Sequence, residues 1–180
     1  MKVKELLKLC GEMGNIDTGD FDSKVKQEGS SARQLLNCFN FTLEELYRDY
    51  ASSIRKTVVE VKDGFADTSD FKLCKVISLV DGEGNDVKYR YTEGGLAVDG
   101  DGKYNLSYAR LPGDVGLDDD VTLPSPRITE RVMSYGILRE YFTINGDMAT
   151  ASVWEERYKD ALRIVEVKTS SIKMPSRRWL

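Results

Sequence analysis

The strongest constraint on this chain is a pair of apolar stripes within residues 123–168, separated by Asn145-Gly146-Asp147. Ile128, Val132, Tyr135, Leu138 and Phe142 recur at steps of three and four, which places them on one helix face. Met148, Ala151, Trp154, Tyr158, Ala161 and Val165 repeat the pattern after the turn. Ser125 is a good N-cap, and Pro126 suits a first helical position, where a missing N–H costs nothing. Gly146 can take the left-handed conformation that ends a helix, and Asp147 can cap the next one. Each stripe must be covered, and so short a connection makes the other helix the natural cover.

The preceding sequence changes period several times. Residues 2–13 predict a short helix with Val3, Leu6, Leu7 and Cys10 on one side, broken by Gly11 and Gly14. Residues 15–30 are polar and predict a linking loop or flap anchored only by Ile16, Phe21 and Val25. Asp17, Asp20 and Asp22 are spaced like calcium ligands. The glycine and bidentate glutamate of an EF-hand loop are out of place, however, so they read as a solvated loop. Residues 31–56 predict the longest helix of this half, with Leu36, Phe39, Leu43, Leu46 or Tyr47, Tyr50 and Ile54 along one face.

From Thr57 the period becomes two. Residues 57–62, 71–80, 87–92, 96–98 and 103–110 predict short strands of an antiparallel sheet or sandwich, with residues 81–86 as a hairpin turn. Gly94-Gly95 and the Asp-Gly steps fit hairpin chemistry and lack the strand–glycine–helix context and lysine of a P-loop. Residues 111–124 form an irregular connection bearing Asp118, Asp119 and Asp120. Adjacent carboxylates diverge, so a solvated turn is favoured over a metal site.

At 180 residues the chain suits one domain of α+β class. The expected layout is a helical bundle from N- and C-terminal helices, with an inserted small antiparallel β module and an extended tail. Its segments are N-terminal helices (1–56), β insertion with loops (57–122), helical hairpin (123–168) and basic tail (169–180). The sequence contains no histidine, which removes Ser-His-Asp and Cys-His arrangements together with most zinc sites. Cys10, Cys38 and Cys74 are odd in number and widely spaced, and read as free thiols in a reducing compartment. A net charge of −4 argues against a general nucleic-acid binder. No apolar run reaches membrane-spanning length, and lysines break the N-terminal stretch too early for a signal peptide. Neither a metal nor a cofactor is implied.

The phrases LPSPRITERVMSYGILREYF and ASVWEERYKDAL, together with the element order and the tail ending Arg177-Arg178-Trp179-Leu180, resemble the head–tail connectors of tailed bacteriophages. The likeness is greatest to the adaptors of short-tailed phages, the tail tubular protein A type. It covers most of the chain in layout, but its motifs are concentrated after residue 120, and the β part cannot be matched residue by residue.

The resemblance implies a structural virion protein of the phage neck, assembled in the host bacterial cytoplasm and not an enzyme. Its partners would be further copies in a ring of about twelve subunits, a portal protein, and a tail, nozzle or second neck protein. DNA would pass through the ring without sequence-specific binding, and no membrane is involved. Candidate subunit-contact charges are Arg127, Arg131, Glu140, Glu155, Glu156 and Arg157. Asp118, Asp119 and Asp120 are candidate channel-facing acids, because an acidic wall repels phosphates. Lys173, Arg177, Arg178, Trp179 and Leu180 are candidate partner anchors, since Arg and Trp are favoured at interfaces. The competing readings are a small regulatory or peptide-binding module and a carboxylate enzyme. Against the enzyme, the sequence places no two acids in contrasting environments.

Overall fold

The computed structural model describes residues 1–166 and is mixed helix and sheet, of α+β type, with small antiparallel sheets. The five anchor candidates at positions 173–180 lie outside the described residues. In chain order the elements begin with helices α1 (Val3–Gly14), α2 (Phe21–Lys24) and α3 (Ser31–Glu45). Strands β1 (Ser53–Val61), β2 (Phe65–Asp67), β3 (Leu73–Val80), β4 (Tyr89–Thr92), β5 (Gly95–Val98) and β6 (Gly102–Arg110) follow. Helices α4 (Glu130–Ile144) and α5 (Met148–Glu166) complete them.

Helices α1, α3, α4 and α5 share one apolar core, with α4 packed against the other three. Every residue from Val132 to Leu138 is buried, including Ser134 and Gly136. A helix covered on all sides cannot be described by a single stripe. The fold begins α4 later than Ser125-Pro126 implies. Thr129 is the cap, its hydroxyl accepting from Val132 N–H at 3.4 Å, while Ser125 closes a turn by accepting from Arg127 N–H. The Asn145-Gly146-Asp147 turn forms as expected. Gly146 has φ +78°, and the Asp147 carboxylate accepts from Thr150 N–H at 3.1 Å. Met148 is exposed, and Leu162 joins Ala151, Trp154 and Tyr158 in the buried row.

The expected helix over 31–56 is corrected. Ser30 caps α3 through Arg33 N–H, but the regular helix ends at Glu45 and a π turn, Leu46–Tyr50, finishes it. Ile54 is not on a helix at all, since Ser53 already pairs with Arg110 in β1. Within the segment read as a loop, α2 forms and buries Phe21, with Val25 beside it.

The six strands make two three-stranded antiparallel sheets, ordered β1-β6-β3 and β2-β5-β4. Val59, Val61, Val76, Leu79, Leu106 and Tyr108 from the first sheet, and Ala66, Leu96 and Val98 from the second, form one apolar core. Two features depart from the sequence reading. β2 is an additional strand, and β4 leaves β3 to pair with β5 in the other sheet, although residues 81–86 do close as a hairpin turn, with Val80 bridged to Asp86 and Val87 N–H donating to the Leu79 carbonyl at 2.8 Å. Asp81 draws that loop in on itself by accepting from the amides of Glu83 and Asn85, both at 2.9 Å.

The turn from β1 into β2 is Asp63-Gly64, with φ of +51° and +73°, and Lys62 and Phe65 exchange backbone bonds of 3.0 and 2.9 Å across it. Both central residues are left-handed, as a type I′ hairpin requires. Alanine at Gly64 would hold an unfavourable φ and bring its Cβ 3.3 Å from the Val98 carbonyl. G64A should therefore cost about 1–2 kcal/mol, a fall of roughly 3–6 °C in the thermal midpoint.

A strap over residues 111–124 returns the chain from the sheets to the helices. Asn40 holds it from both sides, donating to the Val115 carbonyl at 3.1 Å and accepting from Val115 N–H at 2.8 Å. Further along, Val121 exchanges bonds with Met1, and Tyr47 OH donates to the Thr122 carbonyl.

Candidate functional site

Where the start of α4 meets the end of α5, three of the candidate charges surround one groove of about 410 Å³. Arg127, Arg131 and Arg157 rim it, and Val132, Tyr135, Ala161 and Ile164 supply apolar lining. Helical spacing accounts for the local pairs. Arg131 and Tyr135 are one turn apart, with the guanidinium Nε donating to Tyr135 OH at 2.5 Å. Arg157 lies 4.7 Å from the centroid of the Trp154 ring, three residues earlier. The α4–α5 packing then brings the Tyr135 and Trp154 rings to 5.8 Å.

The result is a short ladder of guanidinium, tyrosine, tryptophan and guanidinium. Stacking orients each arginine against a buried ring while leaving the residue itself exposed to solvent. Asp160 also lines the groove and is paired with Arg163 at 2.9 Å. Ile164, 70% exposed, adds a large apolar side chain at the rim. An apolar floor with a positive rim suits an acidic peptide surface that carries an aliphatic or aromatic anchor.

The acidic members of the same candidate set lie elsewhere. Glu140 and Glu155 face Arg139, at 2.5 and 3.4 Å, and Glu45 of α3 closes the cluster at 2.5 Å. Arg139 also lies 4.8 Å above the ring of Tyr158. Burial works against the guanidinium charge, but the hydrogen bonds and field of Glu45, then the field of Glu140, outweigh it and raise its pKa. Burial likewise pushes Glu155 up, yet Lys159 and Arg139 together hold it below the usual glutamate value. Tyr158 is raised by burial, then by the field of Glu45. This cluster ties α3, α4 and α5 together within the chain. Glu156 sits apart on the exposed face of α5.

Asp118, Asp119 and Asp120 are all exposed, on the strap. Asp119 turns back to accept from Gly116 N–H at 2.7 Å, and Asp120 lies 3.1 Å from the Met1 amino group. Asp17, Asp20 and Asp22 do not converge. They bond to Gly19 N–H, to the Ser23 hydroxyl and to Lys4 respectively. Among the described residues no group of three or more metal-ligating side chains is assembled, and no helix is long and apolar enough to cross a membrane. Cys10 and Cys38 are buried in helices α1 and α3, and burial pushes each thiol up to about 12. A thiol held neutral in this way is a packing group.

The sequence alone did not single out Tyr135 as a groove residue or Trp154 as the ring behind it, nor Arg139 and Glu45 as a structural pair. The Arg131–Tyr135 and Trp154–Arg157 spacings were available as a local signal. Neither protein-family models nor curated proteins yield a match to this sequence.

Proposed function

We propose that this chain is a structural assembly protein, a phage head–tail adaptor that forms a ring between portal and tail and lets DNA pass. The observation that carries this reading is the layout. Helices on either side of the β module share one core, and the β module is inserted between α3 and α4. On this reading the helices are the bundle of the connector, and the basic tail reaches a partner.

A closed ring needs two different, complementary surfaces on each subunit. The arginine groove supplies a basic, apolar one, and the strap acids Asp118, Asp119 and Asp120 lie outside it on exposed chain. An acidic surface of that kind also favours sliding of DNA over sticking.

The purified protein, alone and with portal protein, should give rings by electron microscopy and a correspondingly large mass. The R131E/R157E variant should keep its helical circular dichroism and lose ring formation. A wild-type chain that remains monomeric in the presence of portal protein excludes the adaptor role. Normal rings from R131E/R157E remove the groove from the subunit contact.

A further inference from the structure

We propose that β1 is a self-pairing edge, through which two copies of this chain join by antiparallel β1–β1 addition into a continuous six-stranded sheet. The inference is independent of the adaptor reading. β1 is nine residues long and lies at the edge of its sheet, with β6 on one side. Among the described residues, its other side has no backbone partner between Ser53 and Glu60. A strand edge of this kind presents a row of unpaired amide and carbonyl groups to another strand.

The outward side chains decide which strand. Thr57, Val59 and Val61 turn toward the sandwich, so Ile54, Lys56, Val58 and Glu60 share the outer face. Ile54 and Val58 are 58% and 59% exposed, and Ile77 on the same sheet is 49% exposed. This outer face is therefore apolar at its centre and charged on either side.

Antiparallel pairing of a strand with its own copy allows only registers that put a residue opposite itself or opposite a same-face neighbour. Centring on Lys56 opposes two lysines, and centring on Glu60 opposes two glutamates. A centre at Thr57 sets both charges against apolar residues. A centre at Val59 opposes Lys56 to Lys62. Centring on Val58 places Val58 against Val58 and sets each Lys56 opposite the other copy's Glu60. That register alone among the five makes two opposite-charge pairs around an apolar pair. The contact is isologous, so it closes at two copies.

The charges supply the test. K56E alone, or E60K alone, converts both cross-strand pairs to repulsions. Each should weaken dimerisation by about tenfold or more in sedimentation equilibrium, while K56E/E60K should restore it. Val58→Cys gives a readout that holds even if the chain also enters a larger ring. In the proposed register the two Cα atoms fall about 4.5–5.5 Å apart, within reach of a disulfide. V58C should form a covalent dimer on mild oxidation, V58C/K56E should not, and V58C/K56E/E60K should do so again.

Absence of cross-linking by V58C overturns the proposal. So does cross-linking indifferent to K56E, or a dimer that the double reversal fails to restore.

Discussion

Valine at Gly136 should cost this protein about 3 kcal/mol or more and lower its thermal midpoint by roughly 10 °C. Gly136 sits in the middle of α4, with Thr42 of α3 and Tyr158 of α5 packed against it. A Cβ there would lie 2.4 Å from Thr42 Cγ2 and 3.1–3.2 Å from the Tyr158 ring. None of these atoms can retreat cheaply. Thr42 and Tyr158 are both fully buried, and threonine is stiff about χ1. Alanine is the finer probe. Its helix propensity favours it over glycine by about 1 kcal/mol, partly offsetting the clash, so G136A should be mildly destabilising. T42A then removes the clashing methyl together with the Thr42 hydroxyl, which is buried without a hydrogen-bond partner. T42A/G136A should therefore be more stable than the two single changes predict, with a coupling of about 1–2 kcal/mol. Thermal unfolding of the four proteins measures it. Simple additivity would show that the helices part to admit the methyl.

The same glycine shows why the sequence revealed only part of the fold. The α4–α5 turn was legible because Gly146 and Asp147 carry their turn and capping chemistry locally. Gly136 and Ser134 lie off the apolar stripe, on faces that a single stripe would leave to solvent, and their small size is what lets α4 be covered on every side, a property of neighbours distant in sequence. The end of α3 was hidden for a similar reason. Leu46, Tyr47 and Tyr50 continue the helical pattern through the π turn, while Ser53-Ile54-Arg55-Lys56 becomes a strand only because β6 lies alongside it. Strand periodicity gave most of the β segments. The division into two sheets depends on the long-range pairings of β6 with β1 and of β5 with β2, which period two does not encode. For the groove, each arginine–aromatic step was local, but their meeting required the α4–α5 contact. The candidate charges therefore separated by environment, arginines to the groove and two glutamates to Arg139.

Replacing Arg139 by methionine should cost about 2–3 kcal/mol at pH 7, because it leaves Glu45, Glu140 and Glu155 facing one another around an uncharged stem. The value lies below that of a fully buried pair, since the three carboxylate side chains are 25–34% exposed and partly screened. Methionine keeps most of the apolar stem, so the loss reports charge more than volume. The pH dependence separates the two. In the parent protein Glu155 is held below its ordinary value, so its contribution is present above about pH 4.3 and is lost as pH falls through the folded pKa. In R139M Glu155 loses Arg139 as one of the two cations that hold its pKa down, so that pKa rises and the variant is penalised at pH 7 and relieved as pH falls. The gap in thermal midpoint between the two proteins should be widest near neutrality and narrow toward pH 4. A gap that stays constant over that range would assign Arg139 a packing role over Tyr158 in place of the electrostatic one. If the gap narrows, α3, α4 and α5 are fastened by charge at the position where Gly136 lets them close.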